Sequence, residues 1–209
     1  MKGVSNESSN TEKMQQHRMM KKARGGATSL KHEDVDLMVC SELVDRARTM
    51  ALNSSSDHAN VLDVLDANPD DRPLTSDVDN QIIIKVFFKE KVNLSSVLLR
   101  FNKPPADKSE EEDGEEVLFR KPRLIKLYGN KDDLDFCDID SSAPAAQAIA
   151  ENPEATEELI SCLGGKFQRL TSLQILVEET QNSDDESPDV LRCFLNRIRV
   201  IGHRNETYD

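Results

Sequence analysis

Ile82-Ile83-Ile84-Lys85-Val86-Phe87-Phe88 is the stretch on which the reading of the fold turns. Six of its seven side chains are β-branched or aromatic, a composition that packs well on a pleated strand. The run is far too short to cross a bilayer, which takes about 20 apolar residues. Runs of the same character recur at residues 96–101, 124–128, 173–178 and 196–202, separated by turn-forming residues. In the last, Ile198 and Val200 alternate with Arg197 and Arg199, the pattern of a strand with one buried and one wet face. Helical stretches between these runs are too few to cross over a parallel sheet, so the expectation is antiparallel sheets in a sandwich or barrel.

Upstream the period changes. Val35, Val39, Leu43, Ala47 and Met50 fall at helical spacing, with acids at the start and Arg46 and Arg48 near the end, which predicts an amphipathic helix over 34–50. Asn53-Ser54-Ser55-Ser56-Asp57 would stop it. A second, shorter helix is expected after Asn152, with Asn as cap, Pro153 in the first turn and Gly164-Gly165 as the stop.

The chain has 209 residues and a net charge of −12, which suits one domain plus some unfolded chain. Of its 52 Leu, Ile, Val and Phe residues, only Val4 and Leu30 lie in the first 34. Residues 1–33 are therefore expected to be a disordered, polar, basic tail and residues 34–209 the domain. Within the tail, Arg18, Lys21, Lys22 and Arg24 form a weak basic cluster. The acidic stretches 107–116 and 182–188 read as self-repelling surface loops. No secretory or organellar leader is legible, so the expected compartment is the cytoplasm, with the nucleus open. The acidic surface would repel phosphate backbones, which argues against nucleic acid as partner.

The residues that could carry chemistry are sparse. Cys40, Cys137, Cys162 and Cys193 are widely spaced, with no Cys-x-x-Cys pair, so they read as small core hydrophobes rather than redox or zinc residues. His17, His32, His58 and His203 fit no metal or triad spacing, and neither a Gly-x-Ser-x-Gly elbow nor a phosphate loop occurs. Asp77 and Asp79, then Asp135, Asp138 and Asp140, are the one carboxylate constellation, but neither stretch has the calcium-loop frame. Capping of turns is the better account. No enzyme activity, cofactor or metal is expected.

Leu74-Thr75-Ser76-Asp77-Val78-Asp79-Asn80-Gln81-Ile82-Ile83-Ile84 resembles the Ser-Asp-x-Asp-Glu-Gln-Leu-Leu-Ile signature of the PITH domain, found in the thioredoxin-like, proteasome-interacting proteins. Further matches follow in family order. Pro122-Arg123-Leu124-Ile125-Lys126-Leu127-Tyr128-Gly129-Asn130 is similar to its Pro-Lys-x-Val-Lys-Ile-Phe-x-Asn strand. Leu134-Asp135-Phe136 resembles its Met-Asp-Phe, and Gln147 stands where its Pro-Thr-Gln glutamine does. Lys166-Phe167-Gln168-Arg169-Leu170-Thr171-Ser172-Leu173 and the close at Gly202 fit as well. The family's Cys-Leu-Asn-Glu-Ser is here Ala51-Leu52-Asn53-Ser54-Ser55.

The resemblance, over about 36–203, implies an all-β, antiparallel jelly-roll β-sandwich of the galactose-binding-like kind, free-standing without a thioredoxin module. It also implies a monomeric, non-enzymatic module associating with the 26S proteasome. A carbohydrate-like small-ligand module is the alternative. Ser76, Asp77, Asp79, Gln81, Asp135, Phe136, Gln147, Phe167, Gln168, Ser172 and Gly202 are the signature positions, read as structural. Ser76, Asp77 and Asp79 should brace the turn before Ile82.

Overall fold

The computed structural model describes residues 33–66, 72–105, 117–181 and 190–205. The expected tail, apart from its last residue, and the two acidic loops lie outside these. Among the described residues eleven strands form in chain order: β1 (Val35–Asp36), β2 (Met50–Leu52), β3 (Leu74–Thr75), β4 (Ile82–Arg100), β5 (Val117–Arg120), β6 (Pro122–Gly129), β7 (Ala146–Ile149), β8 (Glu157–Ser161), β9 (Leu170–Thr180), β10 (Val190–Leu195) and β11 (Arg197–Arg204). Eight of them make one sheet in the order β1-β11-β4-β9-β6-β7, with β2 and β8 also paired to β4; β3, β10 and β5 make the other. The main core lies between the sheets: Ile82, Ile84 and Val86 of β4, Ile125 and Leu127 of β6 and Ile198 and Val200 of β11 meet Leu74 of β3 and Phe194 and Leu195 of β10.

β4 is the organising strand, and its two halves keep different neighbours. The first half pairs with β2 and β9, while the second pairs with β8 and β11. The register against β9 slips between Phe87 and Val92, where Lys89, Glu90 and Lys91 are exposed. Ile82 to Phe88 are all buried, because the even-numbered side chains face the main core while Ile83 joins a second cluster on the opposite face with Tyr128, Leu134, Ile139 and Leu176. The segment between β6 and β7 thus covers the outer face of the sheet.

The helix predicted over 34–50 does not form. Its place is taken by β1, a 3-10 turn at Leu37–Val39, a series of turns and β2. The apolar residues buried are Leu37, Met38, Leu43 and Val44, whereas Val35, Val39 and Met50 of the predicted apolar face are exposed. The helical period was coincidental. Asp36 starts the 3-10 turn by accepting the Met38 N–H at 3.1 Å, and its other carboxylate oxygen takes Arg199 Nε of β11 at 2.8 Å, which fixes the segment against the sheet edge.

The helix expected after Asn152 is also replaced. Asn152 accepts the N–H of Glu154 at 3.0 Å, an Asx turn, and the chain then runs into β8, where Ile160 is buried and Leu159 exposed. Gly164, with φ of +98°, leads into a 3-10 turn at Gly165–Phe167 instead of ending a helix. Among the described residues one α-helix forms elsewhere: α1 (Val61–Leu65), started by a capping box between Asn60 and Asp63. A further departure is that β10 and β5 pair in parallel. Strands β6 to β9 supply the long connection that such a pair needs, so no crossover helix is required.

Candidate functional site

The turn before β4 is built around Ser76, which is fully buried. Its Oγ accepts the Cys193 N–H of β10 at 2.9 Å and donates to the Asp79 carbonyl, tying one sheet to the turn that starts the other. Asp79 Oδ1 accepts the Gln81 N–H at 2.8 Å and Asn53 Nδ2 at 2.8 Å. Asn53 is the hub, for its Oδ1 also accepts the Val78 N–H at 3.0 Å and its Nδ2 reaches the Gln81 carbonyl at 2.7 Å. Its φ of +56° lies in the left-handed region that Asn tolerates better than most residues. The sequence reading used Asn53 only as a helix stop and missed this role.

Asp77 behaves otherwise than expected. Its backbone N–H donates to the Asn53 carbonyl at 3.1 Å, but its side chain is exposed and no hydrogen bond to it is found among the described residues. The brace is therefore Ser76, Asp79 and Asn53. Gln81 adds a bond from Nε2 to the Glu178 carbonyl at 3.3 Å.

The outer face of the sheet carries a second polar group. Lys85 of β4, Gln174 of β9 and Tyr128 of β6 stand opposite one another across three strands. Lys85, nearly buried, donates to the Asp132 carbonyl at 3.1 Å. Gln174 Oε1 accepts the Lys131 N–H at 3.0 Å, and Ser172 Oγ donates to Asp132 Oδ1. Arg48 completes the group, pairing with Asp132 at 3.3 Å while its guanidinium lies 4.1 Å from the centre of the Phe87 ring. Asn130 pins the loop by accepting the Thr171 N–H at 2.8 Å. The Gln174 Nε2 and the Tyr128 hydroxyl, by contrast, are buried without a hydrogen-bond partner among the described residues, and burial pushes the Tyr128 phenol above its ordinary pKa.

The other signature residues do not converge on either group. Asp135 caps the 3-10 turn at Phe136–Asp138 by accepting the Phe136 N–H at 2.7 Å, and Phe136 packs on the outer-face cluster. Phe167 is fully buried in the main core, and Gln147 and Gln168 are exposed. Gly202 sits at a bulge between β11 and β4; a Cβ there would lie 2.2 Å from the Asn93 carbonyl oxygen, so no larger residue fits without backbone movement. Among the described residues, no group of three His, Cys, Asp or Glu side chains is placed to share a metal ion.

Two clefts open beside these groups. One, of about 230 Å³, is lined by Tyr128, Gly129, Lys131, Ala143, Ala145 and Lys166. The other, of about 380 Å³, is lined by Ser54, Ser55, Ser56, His58 and Asn60 and by the mostly apolar stretch Thr49 to Ala51 with Ala59 and Val61. Residues 32–209 match the PITH domain family. The chain belongs to the PITH domain family. No curated protein matches it.

Among solved structures, this PITH domain is similar to the family 32 carbohydrate-binding module of C. perfringens NanJ in complex with galactose, at 6% identity over 80% of this chain and 98% of that one, TM-score 0.48. It is similar also to a fucose-binding module of Streptococcus pneumoniae, at 10% identity over 77% and 93%, TM-score 0.44. A third likeness is to allantoicase of Saccharomyces cerevisiae, at 13% identity over 81% of this chain and 43% of that one, TM-score 0.47.

The cysteines of the PITH domain are spread over its layers. Cys162 and Cys193 are buried, Cys40 is half-buried and Cys137 is exposed, so Cys137 departs from the expected core placement because it lies on the short turn that Asp135 caps. Burial pushes the thiols of Cys162 and Cys193 up to about 12, which leaves almost no thiolate at neutral pH.

Proposed function

We propose that this PITH domain is a non-enzymatic protein-interaction module that associates with the 26S proteasome. The supporting observation is the family match over residues 32–209, since the family's signature order is the one the sequence follows. The hydrogen bonds of Ser76, Asp79, Asp135 and Ser172 hold turns and loops, which suits a scaffold better than a reactive centre. On this reading residues 1–33 are a tail and 34–209 one domain, acting as a monomer in the cytoplasm, with the nucleus open. It needs no cofactor and binds neither nucleic acid nor membrane.

The test is affinity capture from cell lysate with the full chain, read by mass spectrometry against an unrelated acidic protein of equal charge. Enrichment of proteasome core and regulatory subunits is expected, and its absence would overturn the proposal.

A carbohydrate-like small-ligand module is the second reading. It is favoured by the cleft that Ser54, Ser55 and Ser56 line beside His58, whose Nδ1 lies 3.0 Å from Thr75 Oγ1. Saturation-transfer NMR with galactose separates the two readings: a signal lost in Ser55→Leu would favour the ligand module.

A further inference from the structure

We propose that the cleft of about 230 Å³ beside β6 is where the protein partner docks, and that it takes one acidic side chain of that partner. The proposal rests on the interaction-module reading and names its contact point. Size is the first argument. Small-molecule pockets run from about 300 to 1,000 Å³, so this cleft suits a single anchoring side chain better than a whole metabolite. Gly129, Ala143 and Ala145 wall it with little bulk, leaving room for a methylene stem.

Charge is the second argument. The lining holds two lysines and no carboxylate, in a chain of net charge −12. The Lys166 ammonium reaches the Pro144 carbonyl at 3.5 Å, the outer limit of a hydrogen bond, and an ammonium has three N–H groups to give. A carboxylate would replace that long contact with a charge-assisted bond of about 2.7–2.9 Å. Lys131 leaves from a backbone that Gln174 already holds, so its stem starts from a fixed point. Tyr128, itself packed with Ile83 and Leu134, forms a fixed wall of the same cleft.

Position is the third. Tyr128 and Gly129 lie in the second of the segments that carry the family resemblance, Ala143 and Ala145 lie four and two residues before Gln147, and Lys166 opens the Lys166-Phe167-Gln168 segment. Pieces far apart in sequence thus meet at one opening. Charges on an exposed surface are screened beyond about 8 Å at physiological salt, so distant acids of the domain do little against an acid already at the cleft, and the neighbouring Asp132 is itself paired with Arg48.

The full chain, labelled with nitrogen-15, would be titrated with two blocked peptides, acetyl-Ala-Ala-Glu-Ala-Ala-amide and its Gln counterpart. Saturable shifts at the amides of Gly129, Lys131, Ala143, Ala145 and Lys166 with the Glu peptide are expected. Affinity should fall about fivefold with the Gln peptide and again in Lys166→Gln, as loss of an exposed charged pair allows. No shift, equal response to both peptides, or shifts confined to another surface would overturn the proposal.

Lysate capture with wild type and with the Lys131→Gln/Lys166→Gln chain separates this proposal from the one it rests on. Proteasome captured equally by both chains overturns the cleft and leaves the interaction reading standing. Proteasome absent from the wild-type capture, with the Glu peptide still binding, overturns the proteasome assignment and leaves the cleft.

Discussion

Replacing Ser76 by Ala removes one oxygen from a fully buried position and leaves two backbone groups without their partner. The Cys193 N–H is the expensive one. It belongs to a residue 1% exposed, its acceptor is the Ser76 Oγ at 2.9 Å, and a buried donor left unsatisfied costs about 1–3 kcal/mol. The Asp79 carbonyl belongs to an exposed residue that water can reach, so its loss is nearer the net value of an ordinary hydrogen bond, about 1 kcal/mol. Together these give about 2–4 kcal/mol. At roughly 2–4 °C per kcal/mol for a domain of this size, the melting temperature should fall by about 4–16 °C. Circular dichroism melts and urea titrations of Ser76→Ala, Asp79→Ala and Asp77→Ala make the comparison. Asp79→Ala should cost about 1 kcal/mol, and Asp77→Ala should stay within about 0.5 kcal/mol, because its carboxylate braces nothing. A Ser76→Ala protein melting with the wild type, or an Asp77→Ala protein as damaged as Ser76→Ala, would refute the reasoning.

Gly202→Ala should destabilise by about 1–3 kcal/mol or more, as overpacking does, because its Cβ would meet backbone at 2.2 Å; an unchanged urea midpoint would contradict the close approach. Asp34 has its pKa lowered, first by its hydrogen bond from His203 at 2.9 Å and against the opposing effect of burial. A depressed carboxylate stabilises the fold above its unfolded pKa, and that contribution is lost as pH falls through the folded pKa, so wild type should exceed Asp34→Asn in stability at pH 5 and converge with it well below pH 4. Acid titration of the melting temperature measures this, and a gap that widens on acidification would reverse the sign. Iodoacetamide on the native protein should modify Cys137 first and Cys40 more slowly, and leave Cys162 and Cys193 unmodified until denaturant is added, as peptide mapping would read; rapid labelling of Cys193 would contradict its burial.

The strands were legible because burial on a sheet leaves a mark that needs no partner to be read. Ile82–Phe88, Leu124–Tyr128 and Leu173–Glu178 are apolar runs bounded by turns, and each lies within an observed strand. The N-terminal segment was misread for the opposite reason. Its five apolar residues fit a helical period, yet Val35 and Asp36 pair with β11 at the sheet edge, and Asp36 commits the chain to a tight turn by capping Met38 and binding Arg199. Tertiary contact overrode a weak local preference. α1 went unread although Asn60 and Asp63 stand at capping-box spacing, since five residues are too few for a period to show.

The polar groups mark where reading by residue type stops. Ser76 and Asp79 were legible as turn residues, but whether a carboxylate braces a turn or faces water depends on where its neighbours point. Asp77 and Asp79 are two residues apart and do opposite things. Lys85, Gln174 and Tyr128 show the same limit across strands: nothing in sequence sets positions 85, 128 and 174 in one row, because strand register is fixed by the whole pattern of burial on both faces. The same register puts Tyr128 beside a cleft whose two lysines come from separate turns. A sequence reader meets Lys131 and Lys166 as two ordinary solvated charges. Only the fold sets them in one opening, which is why a binding surface can stay hidden in a chain whose central strands are plainly written.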